Sequence, residues 1–189
     1  MDPTAIIAKY YRSSPRARRL LVDHSEAVAA KALAVARHVA HLGPDLDFLR
    51  EAALLHDVGI LWTRAPLLGC RGERPYVVHG VLGRELLERE GLPRHALVAE
   101  RHVGVGLSAE DVRRSGLPLP ERDMLPVSLE EKIVCFADKF FSKDGGSARE
   151  KPLEVVRASI ARYGGEKLAV FDRWLCFFGY GEGECAADC

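Results

Sequence analysis

In the stretch Leu54-Leu55-His56-Asp57-Val58-Gly59-Ile60 an imidazole and a carboxylate stand side by side at the end of an apolar helical run. Removing a carboxylate from water costs several kcal/mol, so an apolar setting calls for a cation beside Asp57. A metal ion is the cation that an adjacent histidine suggests. The dipeptide alone is a weak signal, and its weight comes from four partners elsewhere in the chain.

Each partner is a polar residue on a stripe that is otherwise apolar. His24 shares helical spacing with Val28, Val35, Val39 and Leu42, and His56 closes the series Leu49, Ala52, Ala53. His79 falls on one face with Leu82, Gly83, Leu86 and Leu87, where Gly83 admits a neighbouring helix. His102 ends the stripe His95, Val98, Ala99, with His95 itself expected at the surface. Asp138 sits in Ile133-Val134-Cys135-Phe136-Ala137-Asp138-Lys139-Phe140-Phe141, apolar on nearly every side. Lys139 lies about 100° around that helix and is not expected to face Asp138, which leaves Asp138 as a ligand in need of its own cation.

Four imidazoles and two carboxylates are too many for one tetrahedral zinc and suit two ions bridged by a shared carboxylate. The nitrogen and oxygen donors favour iron or manganese, with zinc, cobalt, nickel or magnesium behind them. His24, His56 and Asp138 would hold one ion and His79 and His102 the other, with Asp57 shared. Two such ions would acidify a bound water and polarise a substrate oxygen. Lys139 and Arg101, each adjacent to a ligand, are the candidate donors to charge developing on the substrate. For both, a structural ion pair is the competing reading.

The order His24, then His56-Asp57, then Asp138 resembles the HD superfamily of metal-dependent phosphohydrolases, and Leu54–Ile60 resembles its HDIG-type variant. The resemblance covers roughly residues 18 to 143. His79 followed by Gly83, and His102 within Glu100-Arg101-His102-Val103-Gly104-Val105-Gly106, resemble the extra histidines of the dinuclear branch. That branch includes symmetrical diadenosine tetraphosphatases and HD-GYP cyclic dinucleotide phosphodiesterases. The HD-GYP pattern of paired histidines followed by Asp-Gly-x-Gly-Tyr-Pro is not matched here, which disfavours cyclic dinucleotides. The resemblance implies an all-α helical bundle with a buried metal centre that cleaves a phosphate ester or anhydride of a small, nucleotide-like substrate. Mixed-valent diiron oxygenases of the same superfamily share the ligand set, and a non-catalytic nucleotide or metal sensor is a third reading.

Helices are needed to bring these side chains together, and the sequence punctuates them. A short helix is expected over Thr4 to Tyr11, broken at Ser13-Ser14-Pro15, and a long one from there to Gly43-Pro44. Gly59 turns the chain into a loop over 61 to 76, where Arg64, Arg71 and Arg74 are either phosphate contacts or ordinary loop polarity. Capping boxes at Ser108–Asp111 and Ser128–Glu131 open two further helices, and two more are expected near 148–163 and 166–178. One domain over 1–178 and a flexible tail over 179–189 follow.

With 189 residues, 48% of them hydrophobic, the chain can bury one sizeable core. Lysine plus arginine equals aspartate plus glutamate at 27 each, so no global field favours nucleic acid or an anionic membrane, and neither is expected as a partner. Ala5-Ile6-Ile7-Ala8 is far short of a signal-peptide core, and a soluble, cytoplasmic protein is expected. The five cysteines form no CxxC pair. Cys135 is expected as a packed thiol, while Cys185 and Cys189 could oxidise. Oligomeric state is left open.

Overall fold

Most of the helices start where the sequence supplies an acceptor or a proline. The computed structural model describes residues 1–143 and 149–180, and among these there are nine α-helices and one short ribbon. α1 (Pro3–Tyr10) opens on Asp2, whose carboxylate accepts from the amides of Thr4 and Ala5. α2 (Pro15–His38) starts on Pro15, whose missing N–H is an orphan position in any first turn. It stops four residues short of Leu42, and a single tight turn over Ala40–Leu42 with Gly43 at φ +65° completes the stop. α3 (Leu46–Leu55) is capped by Asp45, which accepts from the Phe48 amide at 3.1 Å.

α4 (His79–Arg89) and α5 (Pro93–Arg101) pack as a pair, and α6 (Ala109–Arg114) opens on a complete Ser108/Asp111 capping box. α7 (Leu129–Asp138) opens on Ser128, but the Glu131 carboxylate accepts from the Val127 amide at 2.7 Å rather than closing the box. α8 (Leu153–Ala161) and α9 (Gly165–Phe177) cover α7. There Phe136 stacks on Phe171 at 5.3 Å and meets Phe178 at 5.1 Å. Within the expected loop, β1 (Arg64–Ala65) and β2 (Cys70–Arg71) form an antiparallel ribbon. Tyr180, expected in a loose tail, instead stacks on His38 at 4.9 Å, so packing continues through it. The rest of that tail, with Cys185 and Cys189, lies outside the described residues.

Two apolar clusters result. One gathers Val28 to Ala36 of α2 and Val39 just beyond it with α3, α7, α8 and α9, and the other gathers Ala17 and Leu21 of α2 with α1, α4 and the residues after α3. His24 lies between Leu21 and Val28, at the seam. Gly59 serves this packing rather than a turn conformation. A methyl built on it would stand 2.1 Å from the His79 carbonyl oxygen, so only glycine lets α4 approach. No described helix is long and apolar enough to cross a membrane.

Candidate metal centre

Three of the four histidines are aimed by one local device. His56 follows the last residue of α3, His79 is the first of α4 and His102 follows α5. In each, Nδ1 meets the carbonyl three residues earlier: Ala53 at 2.6 Å, Tyr76 at 2.7 Å and Ala99 at 2.8 Å. A carbonyl can only accept, so Nδ1 carries a proton and Nε2 faces inward, the orientation that such outer-shell partners give metal-binding histidines. The carbonyl of His102 is itself held by the Cys135 thiol at 3.3 Å and by Lys139 Nζ at 3.1 Å.

The inward atoms converge on Asp57, which is fully buried. Its Oδ2 lies 3.3 Å from His24 Nε2 and 3.2 Å from His56 Nε2, and its Oδ1 lies 3.3 Å from Nε2 of both His79 and His102. Asp138 Oδ1 stands 3.0 Å from His24 Nε2 and 3.5 Å from His56 Nε2. Two groups result, each able to hold a metal ion: His24, His56, Asp57 and Asp138, and Asp57, His79 and His102. Donors about 2.1 Å from one ion stand about 3.0 Å apart at an octahedral right angle and about 3.4 Å apart at the tetrahedral angle, which matches these separations.

Two further observations fit a cation. His56 Nε2 and Asp57 Oδ1 are buried without a hydrogen-bond partner. His79 Nε2 and His102 Nε2 face each other at 3.1 Å while both Nδ1 protons are engaged elsewhere. Burial pushes the His79 imidazole down to about 3 and lowers that of His102, so two lone pairs confront each other unless a positive ion lies between. Burial opposes charge on His56 too, but the carboxylates of Asp57 and Asp138 outweigh it and raise the imidazole to about 9. For Asp57 itself burial works upward, yet the Lys143 ammonium and His56 hold the carboxyl well below the usual range.

All six expected ligands are therefore brought together. The two expected donors are placed differently. Arg101 points away, giving Glu131 two contacts at 3.1 and 3.0 Å that tie α5 to α7. Lys139 does reach Asp138, at 2.8 Å from Oδ2, contrary to the angular argument. Asp138 is the last residue of α7, and a four-carbon side chain beyond a helix end can fold back. His95 is also corrected: it is buried, 3.2 Å from Glu51 and edge-on to Phe48.

The residue absent from the sequence expectation is Lys143. Its ammonium lies 2.8 Å from Asp57 Oδ2 and 3.6 Å from Asp138 Oδ1, the same two oxygens that the four-donor group offers. Beside it opens a cavity of about 620 Å³ whose wall includes Tyr76, His79, Asp138, Lys139, Lys143 and Tyr163.

The HD domain family matches residues 21–142, a span that contains every one of these ligands. The chain belongs to the HD domain family. Its members are in general metal-dependent hydrolases. This HD domain is 37% identical over 121 residues to an uncharacterized protein of Methanocaldococcus jannaschii, covering 62% of this chain and 64% of that one. It is 29% identical to a tRNA (cytidine(56)-2'-O)-methyltransferase of Thermoplasma volcanium, over 82% of this chain but 41% of the relative. The enzyme of the same name from Picrophilus torridus is 31% identical over 69% of this chain and 34% of its own length. The chain thus spans less than two thirds of each of these relatives. No solved structure gives a significant match.

Proposed function

We propose that this HD domain protein is a metal-dependent phosphohydrolase that cleaves a phosphate ester or anhydride of a small, nucleotide-like substrate. The observation that supports it is the pair of donor groups sharing Asp57, each of which puts one member, Asp138 or His79, on the wall of a cavity of about 620 Å³, a volume suited to a nucleotide. His24, His56, Asp138 and one oxygen of Asp57 would hold one ion, and His79, His102 and the other oxygen the second. Iron or manganese suits this donor set best. When bound, such ions supply Lewis acidity and acidify water.

Charge favours a phosphate over a neutral substrate. Asp57 and Asp138 are already balanced by the ammonium groups of Lys139 and Lys143. Divalent ions held by the two donor groups would leave the site with excess positive charge. Lys143, which lines the cavity wall, would neutralise phosphoryl oxygens. Lys139 acts on the ligands, by holding Asp138 and the His102 carbonyl, and Arg101 has no part in the chemistry.

The test is phosphate release from a panel of nucleoside monophosphates, dinucleoside polyphosphates and a generic ester, run anaerobically with manganese and with iron. Release that is lost in Asp57→Ala supports the reading. Oxygen consumption that depends on partly reduced iron, without phosphate release, would replace it with the oxygenase.

A further inference from the structure

The ribbon beside the centre carries a cost that the centre does not explain. Arg64 and Arg71 are direct cross-strand partners, and both are exposed. Like charges directly opposite each other destabilise a ribbon. Arg74 joins them, because the Arg64 amide donates to its carbonyl at 2.8 Å. Arg16 of α2 donates to the Leu67 carbonyl at 3.2 Å, which brings a fourth guanidinium to the same ribbon. Among the described residues none of these four arginines pairs with a carboxylate. The even charge count of the whole chain conceals this local excess.

A groove of about 440 Å³ is lined by Arg64, Leu67, Tyr76 and Lys143. Tyr76 and Lys143 also line the main cavity, so groove and cavity meet beside Asp57. Tyr76 is 39% exposed, with its ring against His79 at 4.7 Å. A mononucleotide in the cavity would leave the arginine ribbon uncovered. A strand continuing past the reacting phosphate would cover it: guanidinium forks take phosphates in pairs of hydrogen bonds, and an exposed aromatic ring stacks on any base.

We propose that this groove binds the backbone of a single-stranded nucleic acid, its phosphates on Arg64, Arg71, Arg74 and Arg16 and a base on Tyr76. On the phosphohydrolase reading, which the binding itself does not require, the substrate is then an oligonucleotide that enters the centre from the ribbon side.

The experiment measures fluorescence anisotropy of a labelled, 2'-O-methylated phosphorothioate RNA of about ten nucleotides, which resists cleavage, with the full chain across a salt series. The double variant Arg64→Ala/Arg71→Ala should bind at least about tenfold more weakly at low salt and reduce the slope of log affinity against log salt by about 1.4. Its melting temperature should not fall, because an unfavourable pair has been removed. Arg162→Ala/Arg173→Ala removes the same charge elsewhere and should leave binding within about twofold. No saturable binding by the wild type, or equal losses in both double variants, overturns the proposal. Hydrolysis of mononucleotides without strand binding overturns it while sparing the hydrolase reading. Strand binding with no hydrolysis under any metal supports the groove and sinks the hydrolase.

Discussion

Replacing Gly59 with alanine should remove one metal site and spare the other. The added methyl would stand 2.1 Å from the His79 carbonyl oxygen and 2.4 Å from the Gly83 amide nitrogen. Both are backbone atoms of α4, so no side-chain rotation relieves the contact. Going from 2.1 Å to an ordinary separation of about 3.4 Å requires a retreat of about 1.3 Å, and ligand distances tolerate only about 0.2 Å. His79 belongs to the group it forms with His102 and Asp57, whereas the four-donor group comes from α2, the end of α3 and α7. Metal content should therefore fall from about two equivalents per chain to about one. The overpacking should cost about 1–3 kcal/mol, which for a chain of this size lowers the melting temperature by about 3–10 °C. Gly43→Ala is the control. It meets nothing within 4 Å at φ +65°, so it should cost about 1 kcal/mol of backbone strain with metal content unchanged. The assays are elemental analysis after desalting and thermal melts with and without chelator. A Gly59→Ala protein that keeps both equivalents and melts like the wild type would refute the seating of α4 on this turn.

Asp57→Asn should lower turnover and the affinity for both metals by at least about a hundredfold, because each oxygen serves one donor group; retention of either ion at full occupancy, read by elemental analysis, would contradict the sharing. Glu100→Gln should cost about 3 kcal/mol in a denaturant melt, since this buried carboxylate is clasped by Arg84 of α4 and Arg122 of the loop after α6. An unchanged midpoint would mean that the cluster merely breaks even against its desolvation. Asp111 gives the pH dependence. Burial raises its carboxyl, but Lys167 and the hydroxyl and amide of Ser108 prevail and bring it down to about 2. The folded chain then binds that proton more weakly than the unfolded one, so the contribution is complete above about pH 4 and is lost as pH falls toward 2, to a total of about 2 kcal/mol. Asp111→Asn should lower stability at neutral pH and flatten the curve between pH 4 and 2, and parallel curves for the two proteins would exclude this.

The ligands were legible because each interrupts a stripe of fixed period: His24 among alanines and valines, His56 and His102 at the ends of theirs, Asp138 at the end of the apolar run Ile133–Ala137. What the period could not carry is direction beyond a helix end. Lys139 follows the last residue of α7, so the rule that neighbours diverge by about 100° ceased to bind its flexible side chain, and it returned to Asp138. Arg101 shows the converse: it still belongs to α5, and adjacency to His102 sends it away toward Glu131. Lys143 stands in no helix and on no stripe, and only the three-dimensional path past α7 brings its ammonium to Asp57. The ribbon arginines were visible as loop polarity, but their cross-strand pairing required the register of four residues that carry no periodic signal.

The place of the centre has a physical reason. A buried polar group on one helix is costly alone, and the cost falls only where another such group meets it. In α2 the interruption falls between Leu21 of one apolar cluster and Val28 of the other, and at the end of α3 it follows Leu54 and Leu55, which belong to different clusters. The two clusters are thus divided by the residues that neither can solvate. Cooperation between folding and metal binding follows: ions that neutralise Asp57 and separate the facing imidazoles of His79 and His102 bind only the folded chain, and they should raise its melting temperature as the logarithm of their free concentration. A melting temperature indifferent to manganese, iron and zinc would mean that the seam is closed by Lys139, Lys143 and hydrogen bonds alone.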